Sequence, residues 1–171
     1  DKVIVLSLTR CGECYYCRKG YDNQCENAKD VQKVPGVDGP GGFVEHFIAK
    51  GYEVFKVDES VPFERGILAE PLACVTHSLN TARVNSGDYA IVCGAGAMGI
   101  IHLLLLKQRG LKVIVSEPNE YRRQKALEFG ADYVIDPIQE DQTARVKEIT
   151  DGRGVEKAFF TAGGKAAIEG A

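Results

Sequence analysis

Short apolar runs and longer amphipathic stretches alternate through the second half of the chain. From Asp88 onward, runs that resemble buried strands alternate with segments whose apolar residues recur every three or four positions. The pattern predicts strands at 89–93, 112–116, 133–135 and 155–161, and helices at 97–109, 120–129 and 141–150. Because strands and helices alternate with short connections, the pattern favours an α/β fold with a doubly wound parallel sheet.

The first 73 residues show a different pattern. Short β-like runs at 3–8, 42–49 and 54–57 are separated by turn residues, which are densest at 34–42. No long helical period occurs before residue 74, and a helix is predicted at 74–86. We therefore predict a β-rich domain over residues 1–73 and a nucleotide-binding domain over 74–171.

Composition and charge narrow the class of protein. The 171 residues are 44% hydrophobic and carry a formal net charge of −3, which gives no electrostatic reason to expect nucleic acid or an anionic membrane as a partner. The longest apolar run, 100–106, is too short to span a bilayer. No signal-like segment opens the chain, so we expect a cytoplasmic protein in a reducing compartment.

Four of the six cysteines crowd into one short segment. Cys11, Cys14, Cys17 and Cys25 have the spacing C-x2-C-x2-C-x7-C. Zinc takes four thiolates at tetrahedral corners, and closely spaced cysteines on a tight loop can supply them. Four protein ligands leave no open position for substrate, so the spacing predicts a structural zinc site.

Three other interpretations of the cysteines remain open. Disulfides suit a secreted chain, and nothing else here is typical of secretion. An iron–sulfur cluster of the bacterial type ends in Cys-Pro, whereas Cys25 is followed by Glu26. A nucleic-acid-binding zinc ribbon usually has a basic face, whereas the residues around these cysteines have mixed charge.

A glycine-rich turn follows the strand predicted at 89–93. Gly94, Gly96 and Gly99 form a G-x-G-x-x-G motif between that strand and an apolar helix, which is the context that dinucleotide binding requires. Gly94 permits the tight turn, Gly96 lets a pyrophosphate approach the backbone, and Gly99 lets helix and strand pack closely. The amides of Ala97 and Met98 would then face the anion at the helix N-terminus.

An acidic residue ends the second predicted strand. Glu117 lies 23 residues after Gly94, where a carboxylate can accept both ribose hydroxyls and would repel a 2′-phosphate. This position favours NAD over NADP. Arg122 and Arg123 follow on the next helix and could flank the adenosine or admit NADP. The simpler interpretation, which we favour for Arg123, is a solvated helix charge.

Glu70 is a candidate metal ligand. It precedes Pro71 in an apolar segment, where a carboxylate is costly to bury without a partner such as a metal. A helix-capping or surface glutamate explains the spacing equally well. Cys74 and Cys93 are typical of small buried residues.

The histidines are expected to pack rather than to bind metal. His77 and His102 lie on predicted helices, where packing is the commoner role. His46 lies in a predicted β segment and is interpreted as a cleft-wall or core residue.

Taken together, these motifs resemble those of the medium-chain zinc-dependent dehydrogenases, a family that includes alcohol, sorbitol and threonine dehydrogenases. The similar segments occur in the family's order and cover nearly the whole chain: CGECYYCRKGYDNQCEN, GGFVEHF, AEPLACV, GAGAMG and SEPNEYRRQKALEFGADYVID. The resemblance implies part of a GroES-like β-rich catalytic domain followed by a Rossmann domain. The acidic Glu-Pro-Leu segment is more similar to the polyol and threonine branch.

The resemblance also implies roles for single residues. The four clustered cysteines match the structural zinc ligands, the three glycines match the cofactor turn, and Glu117 matches the ribose-binding acid. Glu70 lies 24 residues before Gly94, which matches the third ligand of the family's catalytic zinc. Cys74 matches a position that packs against the nicotinamide. The structural zinc lobe is also a common site of subunit contact in this family.

One feature of the family is missing. Its first two catalytic zinc ligands, a Cys and the His of a Gly-His-Glu motif, precede the cysteine lobe, and residues 1–10 cannot supply them. We therefore expect either an excerpt of a longer protein, with its Rossmann domain truncated, or a protein that has lost catalysis.

The expected function is hydride transfer between an alcohol or polyol and NAD(P), with NAD favoured, in a homodimer or homotetramer that binds structural and catalytic Zn²⁺. The alternatives are an NADPH-linked reductase of the same family and a non-catalytic protein that binds zinc and nucleotide.

Overall fold

The chain folds into two compact units. A computed structural model describes residues 1–6, 10–28, 44–46 and 48–163. The units comprise residues 1–70 and 71–171. The turn-rich segment predicted at 34–42 lies wholly outside the described residues.

The first unit contains a small antiparallel sheet. Strand β1 (Val3–Val5) pairs with β2 (Val54–Lys56), with Val3 opposite Lys56. Both strands lie within the runs predicted at 3–8 and 54–57, although residues 7 and 8 are outside the described part. The strand predicted at 42–49 is wrong at 44–46 and 48–49, which adopt no strand, and its other residues are not described.

Short helical segments complete the described part of this unit. They are helix α1 (Tyr15–Arg18), helix α2 (Phe63–Gly66), and single 3-10 turns at Asp22–Gln24 and Gly51–Glu53. A purely β interpretation of residues 1–73 is therefore too simple. Segments this short carry no extended hydrophobic period, so the pattern could not predict them.

Helix α3 (Ala69–Ala82) begins earlier than its sequence predicts. The helix predicted at 74–86 is wrong at both ends. Pro71 lies in the first turn, where a missing N–H breaks no intrahelical bond and the fixed φ suits the helix. At the other end, Arg83 has a φ of +52° and ends the helix.

The second unit is built on a four-stranded parallel sheet. Its strands are β3 (Tyr89–Cys93), β4 (Lys112–Ser116), β5 (Tyr133–Ile135) and β6 (Lys157–Phe160), in the order β5-β4-β3-β6. Three of the predicted strands match in full, and β6 is shorter than predicted. The order corresponds to strands 3-2-1-4 of a Rossmann dinucleotide-binding sheet, which are its first half and the next strand, so the predicted α/β fold is confirmed.

Helices α4 (Ala97–Gln108), α5 (Glu120–Glu128) and α6 (Gln142–Ile149) connect these strands within a residue of the predicted ends. Apolar residues fill both faces of the sheet, because strand side chains alternate between its faces. Val92 and Val113 pack with α3 and α4 in one cluster, and Ile91 and Ile114 pack with α6 in the other. Leu103 and Leu106 on α4 are fully buried, which stabilises the fold by roughly 1.5–3 kcal/mol each. The carboxyl ends of the strands are thereby held at one edge of a rigid sheet.

Within the described part of the chain, none of the helices has the length and apolar character needed to cross a membrane.

Candidate functional site

The four clustered cysteines come together in the first unit. The Sγ atoms of Cys11, Cys14, Cys17 and Cys25 all lie within 4.8 Å of one another, and those of Cys11 and Cys17 are 4.0 Å apart. A tetrahedral zinc with Zn–S bonds of about 2.3 Å needs sulfurs about 3.8 Å apart. The geometry therefore fits a four-thiolate metal site. Cys11, Cys14, Cys17 and Cys25 form no disulfide with one another, which argues against the disulfide alternative.

Hydrogen-bond donors surround these sulfurs. The backbone N–H of Cys14 and the side-chain amide of Asn27 donate to Cys11 Sγ at 3.3 and 3.6 Å, and the Cys11 N–H donates to Cys25 Sγ at 3.4 Å. Backbone hydrogen bonds from Glu13 and Cys14 lower the pKa of Cys11 to about 6, whereas burial raises the pKa of Cys17 to about 11. Donors of this kind orient and stabilise the thiolates that a metal requires.

The glycine turn joins β3 to α4 and is shaped by close backbone contacts. Gly94 has a φ of +106°, which a residue with a side chain rarely adopts, and its N–H donates to Ser116 O at 2.8 Å. A Cβ on Gly99 would collide with the carbonyl oxygen of Gly94, whereas a Cβ on Gly96 would meet no atom within 4 Å. Gly94 and Gly99 are thus required for packing, and Gly96 borders open space.

Helix α4 begins at this open space. Gly96 is its N-cap, and the first intrahelical donor is Ile100, whose N–H bonds to Gly96 O at 2.9 Å. The amides of Ala97 and Met98 precede that donor and lie in the first turn. Such a terminus favours an anion through its N–H groups and the helix dipole.

Thr161, which directly follows β6, is hydrogen-bonded to the glycine turn. Its hydroxyl bonds to Cys93 O and Gly94 O at 3.1 Å each, and its N–H donates to Cys93 O at 2.9 Å. The sequence motifs do not single out this residue. Its position as the last residue of the strand predicted at 155–161, at the edge where the turn also lies, is the one signal that the sequence offers.

Glu117 reaches the glycine turn. Its carboxylate is 4% exposed; Oε2 accepts from the Ala95 N–H at 2.8 Å and Oε1 from the Asn119 N–H at 2.9 Å. The residue predicted to bind ribose therefore lies at the carboxyl end of β4, beside the turn. Each oxygen accepts one protein donor and keeps a lone pair for a further one.

The two arginines of α5 differ. Arg122 is exposed. Arg123 is not the solvated charge that the sequence suggests: its side chain is 16% exposed, and Nη1 donates to Glu117 O at 2.8 Å and to Pro118 O at 2.7 Å. The same nitrogen lies 3.0 Å from Asp136 Oδ2. Sequence patterns miss such a contact because its acceptors follow two different strands.

A cavity of about 550 Å³ opens at the carboxyl ends of the strands in the second unit. Its lining includes Cys93, Ser116 and Pro118 at the ends of β3 and β4, together with Pro137, Ile138 and neighbouring residues of the loop after β5. Ser116 and Gln142 form a hydrogen bond at its wall. In open parallel sheets, this edge is where ligands bind.

Glu70 lies in the first turn of α3 and is exposed within the chain. Because the side chain is exposed here, no burial cost calls for a metal partner, and a first-turn carboxylate also suits the helix dipole. The role of Glu70 as a metal ligand stays a prediction. Cys74 is exposed rather than buried, whereas Cys93 is buried as predicted.

The histidines fall into two groups. His102 is buried, packs against Phe159 with ring centres 5.2 Å apart, and bonds to Met98 O at 2.8 Å, so its predicted packing role is confirmed. His77 is exposed. His46 is exposed and outside any strand, so a core position is wrong, and the other predicted position, in a cleft wall, stays a prediction.

Comparisons with known proteins agree with this arrangement. The family model described as "alcohol dehydrogenase GroES-like domain" matches residues 1–59, and that described as "zinc-binding dehydrogenase" matches residues 97–171. L-threonine 3-dehydrogenase from Pyrococcus abyssi is 38% identical over 170 residues, which are 99% of this chain and 47% of that protein. Sorbitol dehydrogenase from Halalkalibacterium halodurans is 32% identical over 90% of this chain and 44% of its own.

A solved structure gives the same result. The alcohol dehydrogenase RspB of Escherichia coli CFT073, in complex with NADH, superimposes with a TM-score of 0.82 at 28% identity, over 99% of this chain and 50% of that one. The chain spans about half the length of the curated relatives it matches. With both family models matched in order along it, the chain belongs to the medium-chain zinc-dependent alcohol and polyol dehydrogenase family.

Proposed function

We propose that this chain provides the cofactor-binding unit and the structural zinc lobe of an NAD-dependent alcohol or polyol dehydrogenase. The observation that carries the proposal is the carboxylate of Glu117, held 2.8 Å from the Ala95 N–H within the glycine turn. That arrangement brings a ribose acceptor and a pyrophosphate-binding helix terminus to one edge of the sheet.

Each residue of this edge has a role in cofactor binding. The first-turn amides of Ala97 and Met98 would bind the pyrophosphate, which can approach because nothing lies within 4 Å of a Cβ placed on Gly96. Gly94 and Gly99 hold the turn in shape. The remaining lone pairs of Glu117 would accept the two ribose hydroxyls of the adenosine half.

The preference for NAD follows from charge. A buried carboxylate next to the ribose repels the 2′-phosphate of NADP, because both groups are negative. Arg122 is exposed on the adjacent helix, and its positive charge favours the alternative, an NADPH-linked reductase.

Two zinc sites belong to the proposal. A structural zinc would be bound by Cys11, Cys14, Cys17 and Cys25. Four thiolates complete its coordination, so no position is left for substrate. Glu70 would be one ligand of a catalytic zinc in the complete protein, as the spacing to Gly94 and the resemblance imply. A zinc ion at such a site polarises a bound alcohol and stabilises the alkoxide.

The substrate is proposed to be a small secondary alcohol that carries a neighbouring polar group. Relatives in both the threonine and sorbitol branches support this, since L-threonine and sorbitol share that chemistry. We further propose a cytoplasmic homodimer or homotetramer, with no nucleic acid or membrane as a partner. The net charge of −3 agrees with the last point.

The test is a hydride-transfer assay of the full-length protein, followed by the absorbance of reduced nicotinamide. The panel comprises L-threonine, sorbitol, butane-2,3-diol and a primary alcohol, each with NAD and with NADP. We expect oxidation of at least one secondary alcohol with NAD, and Glu117→Ala should reduce the preference for NAD over NADP. A preference for NADP in the unaltered protein would favour the reductase.

A negative result over the whole panel has a defined meaning. If the protein binds NAD and one zinc per chain but oxidises none of the alcohols, the non-catalytic alternative is correct. Glu128→Gln, an exposed change on α5, serves as the control and should leave the cofactor preference unaltered.

A further inference from the structure

We infer that Arg123 and Asp136 are positioning residues for the adenosine half of the cofactor. This inference rests on the function proposed above, in that it concerns the site at the carboxyl edge of the sheet. Neither residue lines the cavity. Both are hydrogen-bonded to residues that line it.

The environment of Arg123 requires an explanation. The residue lies in the first turn of α5, where a positive charge opposes the helix dipole. Its side chain turns back instead, and one guanidinium nitrogen contacts Glu117 O, Pro118 O and Asp136 Oδ2, all within 3.0 Å. With side-chain exposures of 16% and 17%, this ion pair is largely shielded from water.

On one side, the pair fixes Glu117. The Glu117 N–H donates to Ile135 O at 3.1 Å, its carbonyl accepts from Arg123, and its carboxylate accepts from Ala95 and Asn119. All the polar groups of this residue are therefore held. A ribose acceptor with a fixed backbone loses less conformational entropy on binding.

On the other side, the pair fixes the loop that follows β5. Asp136 Oδ1 accepts from the Ile138 N–H at 3.0 Å, and Asp136 O accepts from the Glu140 N–H at 2.9 Å. Ile138 and Glu140 line the cavity, as does Pro118. Arg123 and Asp136 thus join two lining segments, one after β4 and one after β5, through one charge-assisted contact.

A role in positioning makes a selective prediction. ADP-ribose carries the adenosine and ribose groups without the nicotinamide ring, and nicotinamide mononucleotide carries the opposite half of the cofactor. If Arg123 and Asp136 position the segments that line the cavity beside Pro118, substitution of either residue should weaken ADP-ribose binding. Binding of nicotinamide mononucleotide should stay unaltered. KM for NAD should rise, and kcat at saturating NAD should stay constant.

The experiment uses the full-length protein with Asp136→Asn and Arg123→Lys. Both changes keep the size of the side chain, and the lysine keeps its charge while losing the planar fork. We expect the Kd for ADP-ribose to rise about tenfold in each variant, as for the loss of one charge-assisted hydrogen bond. The double variant should be little worse than Arg123→Lys alone, because Asp136→Asn removes only the ion pair that Arg123→Lys already weakens.

Matched controls come from two exposed contacts away from this one. Glu128 Oε2 lies 2.7 Å from Lys125 Nζ, with side-chain exposures of 60% and 39%, and Arg109 Nη2 donates to Asn80 Oδ1 at 2.8 Å. Glu128→Gln and Arg109→Lys repeat the same chemical changes there and should leave the Kd for ADP-ribose unaltered. Thermal unfolding of every variant separates a loss of fold from a loss of affinity.

The outcomes are distinct. If the unaltered protein does not bind ADP-ribose, the proposed function fails and this inference fails with it. If the unaltered protein binds ADP-ribose and both variants bind it as tightly as the unaltered protein does, the proposed function stands and the inferred positioning role is wrong. Equal weakening of ADP-ribose and nicotinamide mononucleotide would also overturn it, because that result indicates a general loss of structure. Should Asp136→Asn fail to fold, Arg123→Lys decides the question.

Discussion

At the scale of single residues, the glycines of the turn differ in role: Gly99 is needed for packing, whereas Gly96 borders the space proposed for the cofactor. A methyl group on Gly99 would collide with the Gly94 carbonyl, whereas one on Gly96 would enter open space. We predict that Gly99→Ala destabilises the second unit by about 1–3 kcal/mol, the usual cost of overpacking. Gly96→Ala should leave the unfolding midpoint nearly unchanged and weaken ADP-ribose binding. Thermal unfolding and ligand titration of both variants check this, and equal effects on stability would contradict it.

Asp132 gives a prediction about pH. Burial acts to raise its pKa, but hydrogen bonds from Lys107 at 2.6 Å, the Val113 N–H at 2.8 Å and Lys112 at 3.2 Å outweigh burial and lower it. Since the folded pKa lies below the unfolded one, the carboxylate stabilises the fold at pH values above the unfolded pKa of about 3.9. That contribution is lost as the pH falls through the folded pKa.

We therefore expect Asp132→Asn to lower the free energy of unfolding at neutral pH by about 1–3 kcal/mol, the range for a charged hydrogen-bonding group. The variant should lose less stability than the unaltered protein on acidification. Urea unfolding at a series of pH values measures both effects. Glu128→Gln, which changes an exposed pair with Lys125, should follow the unaltered protein throughout.

The limits of sequence reasoning also appear at this scale. Glu117 and the glycines could be located because strand, turn and helix impose a fixed spacing on them. Arg123 and Thr161 could not, because their partners follow other strands and depend on how the sheet assembles. The local pattern shows Arg123 as a charge on a polar helix, and only the tertiary structure brings Glu117 O and Asp136 within its reach.

At the scale of elements, the sequence predicts most accurately those strands and helices that show a clear hydrophobic pattern. The strands of the parallel sheet, buried on both faces, were located to the residue at β3, β4 and β5. Helix α3 begins before its predicted start because its first residues show no helical period, although Glu70 and Pro71 both suit a first helical turn. The described short elements of the first unit have too few residues to show any period.

The cysteine loop is the element whose stability should depend on a metal. We predict that Cys17→Ser lowers the bound zinc of the full-length protein by one ion per chain, because a tetrahedral site loses a ligand. The loss should also lower the unfolding temperature, since metal binding is coupled to folding. Metal analysis and calorimetry measure both quantities. Cys74→Ser, outside the cluster, is the matched control and should retain the full zinc content.

At the scale of the whole molecule, the remaining question is where chemistry occurs. A metal held by the four cysteines would have no position left for substrate, and the glycine turn, proposed to bind the cofactor, has no group that would activate an alcohol. Glu70 is the residue of this chain proposed to contribute to a second zinc site. Its exposure in the first turn of α3 is compatible with a role as ligand and also with a purely helical role.

Metal content distinguishes these two roles. If Glu70 is a zinc ligand, Glu70→Ala in the full-length protein should remove one of two zinc ions, abolish alcohol oxidation and leave the Kd for ADP-ribose unchanged. Glu70→Asp keeps the carboxylate and should retain part of the zinc and activity, which a purely helical role would not require. Glu64→Ala, in the first turn of α2, is the control for removing an acidic residue at a helix start. Two zinc ions and full activity in Glu70→Ala would show that Glu70 serves only the helix.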